Sequence, residues 1–186
     1  MYDLFLSPLV MASALRLMTP VLFAAMGGSF GHKAKVLCLG LESFMAFAAF
    51  FAMYGSYTFE SAYAGLLFGV LSAMIASCIF AVFVLIFKST PVIVGIALNL
   101  AAWGGTTYLL SMIFKTRGVF IDPQIKSFGS IDIPLIKDIP YIGKFLSGQN
   151  ILVYLSLVFM IIAYIIMFKT PFGLRLRGVG IKKIAA

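Results

Sequence analysis

Five apolar runs, each close to the length a helix needs to cross a bilayer, leave this chain few ways to fold. They extend from Pro8 to Met26, Val36 to Met53, Ala62 to Phe87, Pro91 to Phe114 and Ile151 to Phe168. A hydrocarbon core of about 30 Å takes about 20 apolar residues of helix to cross. The third and fourth runs are separated only by Lys88, Ser89 and Thr90, and Pro91 suits the first turn of a new helix, so these two spans form a tight hairpin. Of the 186 residues, 62% are hydrophobic and 11% charged. A soluble domain is roughly half apolar and a quarter charged, so no single core could hide this much apolar surface. The expected fold class is therefore an all-α integral membrane protein. A bundle of about five transmembrane helices forms a single multi-pass transmembrane domain over 1–186.

A formal charge of +8 raises the question of nucleic acid. Nucleic-acid binders gather Lys and Arg on one exposed face, whereas here they sit in short segments between apolar runs, which excludes that partner and fits membrane topology. Lys33, Lys35, Lys88, Lys169, Arg175, Arg177, Lys182 and Lys183 fall on one side of the alternating spans, with no acid among them. On the other side Lys115, Arg117, Lys126, Lys137 and Lys144 are diluted by Asp3, Glu60, Asp122, Asp132 and Asp138. The positive-inside rule puts the first group in the cytoplasm, the N-terminus outside and the C-terminus inside. The long connection 115–150 is then extracytoplasmic. Its prolines exclude a regular helix, and its Ile, Leu and Phe content is too high for a disordered linker, so it is expected to fold against the outer membrane surface. The first run carries Arg16 and lacks a basic leader and a small-residue cleavage site, so it reads as a retained helix. Cys38 and Cys78 lie in apolar runs without CxxC spacing and read as small hydrophobes.

Polar residues inside apolar runs carry the functional signal. Arg16 lies near the middle of the first run, and Glu42 lies about 9 Å into the second at 1.5 Å per residue. A charge at the bilayer centre costs about 2.5–3.5 kcal/mol on insertion scales, so neither faces lipid. Either the two pair within the bundle, or each meets a backbone carbonyl, a polar neighbour or water separately. In the fourth run Gly95, Asn99, Trp103, Thr106 and Thr107 recur at three- and four-residue intervals and share one helix face. Two readings of this stripe stand side by side: an aqueous path for a hydroxyl-rich solute, or close helix packing with one amide bonded across to a neighbour. His32, next to Lys33, reads as a solvated residue. There is no Ser/His/Asp set, no HExxH and no Walker A loop in the sequence, so neither hydrolysis nor a metal or cofactor site is expected.

Three segments carry a resemblance: Ala34 to Met45, reading AKVLCLGLESFM; Val94 to Leu100, reading VGIALNL; and Thr170 to Gly180, reading TPFGLRLRGVG. In order and spacing they are similar to the AGVxNIGLEGMM, VSGxALNL and TxFGLRLRAVG stretches of the permeases of ABC importers for nucleosides and simple sugars. That family is related to the ribose and branched-chain amino acid permeases. Ile133-Pro134 and Ile139-Pro140-Tyr141-Ile142-Gly143 also resemble the family's outer loop. The chain departs from the pattern at Lys35 and Ser43, where the family has Gly, and at Cys38, where it has Asn. The resemblance implies a plasma-membrane permease subunit, not an enzyme, that imports a small polar solute such as a nucleoside or simple sugar. Its implied partners are a cytoplasmic ABC ATPase that hydrolyses ATP, an extracytoplasmic solute-binding protein and a second permease subunit. It further implies a cytoplasmic coupling segment, 170–186, in which Thr170, Gly173, Arg175, Arg177, Gly180, Lys182 and Lys183 dock on the ATPase; the other reading of these basic residues is topology alone. Family members continue beyond the point matching Ala186, so the chain is expected to be an N-terminal, incomplete part. The alternatives are an ATP-independent secondary transporter or channel, or a non-transporting fragment. One intramembrane acid and no internal repeat speak for the importer over the transporter or channel.

Overall fold

Helices make up nearly all of the regular structure in the computed structural model, which describes residues 8–36, 38–116, 120, 122, 125–126, 128–131 and 148–181. In chain order they are α1 (Pro8–Lys33), α2 (Leu41–Phe59), α3 (Ala62–Ala81) continued by a π-helical turn over Val82–Ile86, α4 (Pro91–Phe114), α5 (Ile151–Lys169) and α6 (Pro171–Ile181). Two short strands, β1 (Ser130–Ile131) and β2 (Gln149–Asn150), pair antiparallel. Four runs, Val10–Lys33, Ala62–Ile86, Pro91–Phe114 and Ile151–Lys169, are long and apolar enough to cross a membrane. The fifth expected span, α2, is a helix of 19 residues whose apolarity is diluted by Glu42 and by the run Tyr54 to Thr58. The expected all-α membrane fold holds, with the β1–β2 ladder as its one addition among the described residues.

The chain divides into two compact units, Met1–Lys35 with Phe128–Ala186, and Val36–Ser127. In the first, α1 and α5 run parallel. Phe23 meets Phe159 edge to face at 5.9 Å, and at one end Lys33 stands 6.0 Å from the centre of the Phe168 ring. At the other end Arg16 Nε donates to Gln149 Oε1 at 2.9 Å, and its Nη2 to the Gly148 carbonyl at 3.3 Å. Gln149 immediately precedes Asn150, whose side chain caps α5. Arg16 is therefore level with the start of α5. α1 does not stop at Met26: it runs on through Gly27, Gly28 and Ser29 to Lys33. Within this unit Arg16 thus meets a polar neighbour and a backbone carbonyl.

In the second unit α2 packs on α3 through small residues. A Cβ at Gly65 would stand 2.7 Å from the Ala52 carbonyl oxygen, and one at Gly69 3.1 Å from that of Ala48. Gly65 and Gly69 form a GxxxG pair that brings two backbones together where lipid supplies no hydrophobic drive. At the far end of α2, Ser56 donates to the Lys126 carbonyl at 2.9 Å, and Tyr57, Phe114 and Phe120 form an aromatic trio. The start of the 115–150 connection is thus held against α2 and α4. The Ile133-Pro134 and Ile139-Pro140 pairs lie outside the described residues. The expected hairpin is present: the π-helical turn ends α3, Lys88 takes a left-handed φ of 53°, and Pro91 opens α4. Cys38 and Cys78 are free thiols, half-buried and exposed respectively.

Candidate functional site

The site is built where α2 begins. The helix starts at Leu41 and not at Val36, and its N-cap is Gly40, which has no side chain with which to cap it. An uncapped helix start leaves backbone N–H groups without partners, an expensive state away from water. A residue 56 positions further on meets the need. Asn99 Oδ1, from α4, accepts from the Ser43 N–H at 3.0 Å, the group an N-cap side chain would ordinarily bind. The same amide turns its Nδ2 to the Leu39 carbonyl at 3.1 Å. Ser43 is fully buried, and its hydroxyl donates to the Gly40 carbonyl at 2.6 Å.

Gly95, one turn before Asn99, makes this approach possible. A Cβ there would lie 2.9 Å from the Gly40 nitrogen and 3.1 Å from the Leu39 carbonyl carbon, closer than backbone atoms allow. Asn99 is eight residues into α4, so the clasp is about 12 Å along that helix from Pro91. Non-helical backbone at such a depth persists in a membrane only where protein or water satisfies it, and here Asn99 does so. Sequence spacing placed Gly95 and Asn99 on one face; it did not reveal Leu39, Gly40 and Ser43 as their partners. Glu42 is an exposed residue in the first turn of α2, where the helix dipole favours a carboxylate.

Further along the same stripe the surroundings change. Trp103 is 65% exposed, and Thr106 and Thr107 donate their hydroxyls within α4, to the Ala102 carbonyl at 2.6 Å and the Trp103 carbonyl at 2.7 Å. The stripe is thus two things in succession: a packed pair, Gly95 and Asn99, then an open aromatic and hydroxyl-bearing surface. A separate groove of about 350 Å³ between α2 and α3 is lined by Phe47, Phe51, Phe68, Leu71, Ile75 and neighbouring small and apolar residues. Its one hydroxyl, that of Ser72, is committed to the Gly69 carbonyl, so it offers little to a polar solute.

In the first unit the TPFG stretch sets the break between α5 and α6. Thr170 Oγ1 accepts from the Gly173 N–H at 3.4 Å, and Pro171 occupies the first helical position. Any side chain at Gly173 would collide with the Met167 carbonyl oxygen. Arg177 donates through Nε to the Gly173 carbonyl at 3.2 Å, and its guanidinium lies 5.4 Å from the centre of the Phe168 ring. Arg175 is exposed and Gly180 lies in α6; Lys182 and Lys183 are outside the described residues. Among the described residues no group of His, Cys, Asp and Glu could hold a metal ion.

Comparison with known proteins places this geometry. The family model of the branched-chain amino acid transport system permease component matches residues 10–186. The chain belongs to this permease family. It is 33% identical over 182 residues to the nucleoside ABC transporter permease protein NupC of Lactococcus lactis subsp. cremoris (strain MG1363), an alignment covering 92% of this chain and 56% of that protein. To the guanosine ABC transporter permease protein NupQ of Bacillus subtilis (strain 168) it is 32% identical over 174 residues, covering 90% and 54%. The chain thus spans about half the length of the curated relatives it matches. No solved structure matches. Membership of a permease family, together with several apolar helices, makes the chain a multi-pass membrane protein.

Proposed function

We propose that this chain supplies membrane helices of a permease subunit in an ATP-driven importer of nucleosides, set in the plasma membrane with its N-terminus outside and its C-terminus in the cytoplasm. The observation that carries this reading is the similarity, over about nine-tenths of the chain, to two permeases whose names specify a nucleoside and guanosine. The geometry supports it: a helix start is held well inside the membrane by Asn99, and an open surface of Trp103, Thr106 and Thr107 continues from it along α4. In this reading Gly95 and Asn99 hold the wall of the solute path, and the residues beyond them line it.

The chain performs no hydrolysis in this scheme. A separate cytoplasmic ATPase grips the segment 170–186, with Arg175 and Arg177 beside Thr170, Gly173, Gly180, Lys182 and Lys183. A binding protein delivers solute at the 115–150 connection, and a second permease subunit completes the path. ATP favours one arrangement of the ATPase pair over the other, and the permease transmits that difference to the solute path. The test is uptake of labelled guanosine by cells expressing the chain with its ATPase and binding protein, together with copurification of the ATPase. Deletion of Arg175 to Ala186 is expected to abolish copurification and uptake. Unchanged copurification after the deletion removes the docking role, and guanosine uptake that ignores ATP depletion removes the importer.

A further inference from the structure

Trp103 is the one tryptophan of the chain, and it stands where an indole is hardest to accommodate. It is the middle residue of α4, about 18 Å from Pro91 at 1.5 Å per residue, and so near the bilayer centre. Tryptophan in membrane proteins gathers at the two interfaces, where the ring is buried and the N–H stays wet. Here the side chain is 65% exposed and its N–H has no hydrogen-bond partner among the described residues. Hydrocarbon would leave that donor unsatisfied.

Its neighbours point the same way. Gly104 and Gly105, the next two residues, have open space where a Cβ would stand, so the surface beside the ring is clear. Thr107, one turn on, is exposed, and its hydroxyl proton is directed to the Trp103 carbonyl at 2.7 Å, which leaves the oxygen's lone pairs turned outward as acceptors. A flat π-surface, an unobstructed approach and a hydroxyl acceptor one turn away suit a molecule with a planar ring at one end and hydroxyl donors at the other.

We propose that Trp103 is the stacking platform for the nucleobase of the permeating nucleoside, with the Thr107 oxygen accepting from a sugar hydroxyl. This rests on the reading of the chain as a nucleoside permease and deepens it by naming the group that recognises the base. Every base has a π-face, so such a platform tolerates several bases, and stacking contributes about five- to 150-fold in affinity per base. One weak contact of this kind also suits a path that the solute has to leave.

As the sole indole, Trp103 reports on itself. In the purified chain reconstituted in phosphatidylcholine nanodiscs, guanosine is expected to quench its emission saturably, with absorbance corrected, and D-ribose to leave it unchanged. Acrylamide in the water should reach the ring better than a brominated acyl chain in the bilayer. Trp103→Phe should retain labelled guanosine, and Trp103→Ala should lose at least about fivefold in retention. Emission indifferent to guanosine, equal quenching by ribose, strongest quenching by the brominated lipid, or undiminished retention by Trp103→Ala each overturns the proposal. If any of these occurs while the assembled transporter still imports guanosine, only the stacking role falls; if import is also absent, the permease reading falls with it.

Discussion

Asn99 supplies with one carboxamide what the connection before α2 lacks, an acceptor for the Ser43 N–H and a donor for the Leu39 carbonyl. Removing it strands a donor on a fully buried residue, and an unsatisfied buried group costs about 1–3 kcal/mol. Asn99→Ala is therefore expected to destabilise the folded chain by about 1–3 kcal/mol in a reversible detergent-unfolding assay while leaving membrane insertion intact. Thr106→Ala removes a hydroxyl that bonds only within α4, so its effect should stay within about 0.5 kcal/mol. Equal effects of the two substitutions would mean that the clasp is not what holds α2 to α4. Gly95→Ala tests the same place from the steric side: the added methyl meets the Gly40 nitrogen and the Leu39 backbone, and an overpacked contact of this kind costs about 1–3 kcal/mol. In the assembled complex both Asn99→Ala and Gly95→Ala should weaken solute-stimulated ATP hydrolysis, since both loosen the wall from which the solute path continues.

Helix ends in this chain are set by chemistry that apolar patterning does not record. Lys35, Glu60, Lys88 and Lys115, at or just beyond the ends of α1, α2, the α3 extension and α4, all take left-handed φ between 45° and 56°, a conformation that strains every residue but glycine. Glu60→Gly should relieve that strain and raise stability by about 1 kcal/mol, because the ion pair it removes, 3.9 Å long between exposed side chains, contributes little. A loss of stability in the same unfolding assay would assign Glu60 a larger part in holding Lys126 than its exposure allows. The same chemistry explains which boundaries were readable. Lys88 to Thr90 followed by Pro91 carries its own turn signal, and the hairpin is where the sequence places it. Apolar patterning places the start of α2 five residues early because Val36 to Gly40 is as apolar as the helix it precedes, and the residue that caps Ser43 lies on another helix. Apolar patterning places the end of α1 seven residues early because Gly27, Gly28 and Ser29 look like a break, yet Ser29 turns its hydroxyl to the Met26 carbonyl and the helix continues. Gly65 and Gly69 carry the α2–α3 contact in a GxxxG spacing that polar patterning does not register. On the stripe itself, periodicity was enough to bring Gly95 and Asn99 to one face, but not to separate the packed pair from the open surface around Trp103.

Each unit carries charged residues at both of its ends. In the first, Lys33 and Arg177 converge on Phe168 at the end where α1 finishes and α6 begins, and Arg16 lies at the other end with Gln149. In the second, Glu60 and Lys126 pair at the end of α2 that Tyr57 shares with Phe114 and Phe120, and Lys88 lies across the length of α3 from that end. Among the described residues the Lys33 and Arg177 end of the first unit carries cations and no acid, and the Glu60 and Lys126 end of the second unit carries both signs; an excess of cations is what marks a cytoplasmic end. The importer reading requires the first of these ends to face the cytoplasm, because an ATPase can grip the segment 170–186 only there. In a background of Cys38→Ser and Cys78→Ser, Lys126→Cys should react with a membrane-impermeant maleimide on intact cells. Arg175→Cys should react only after the membrane is opened. The reverse pattern would carry α6 away from any source of ATP, and with it would go the coupling role of Arg175 and Arg177 and the ATP-driven import that depends on it.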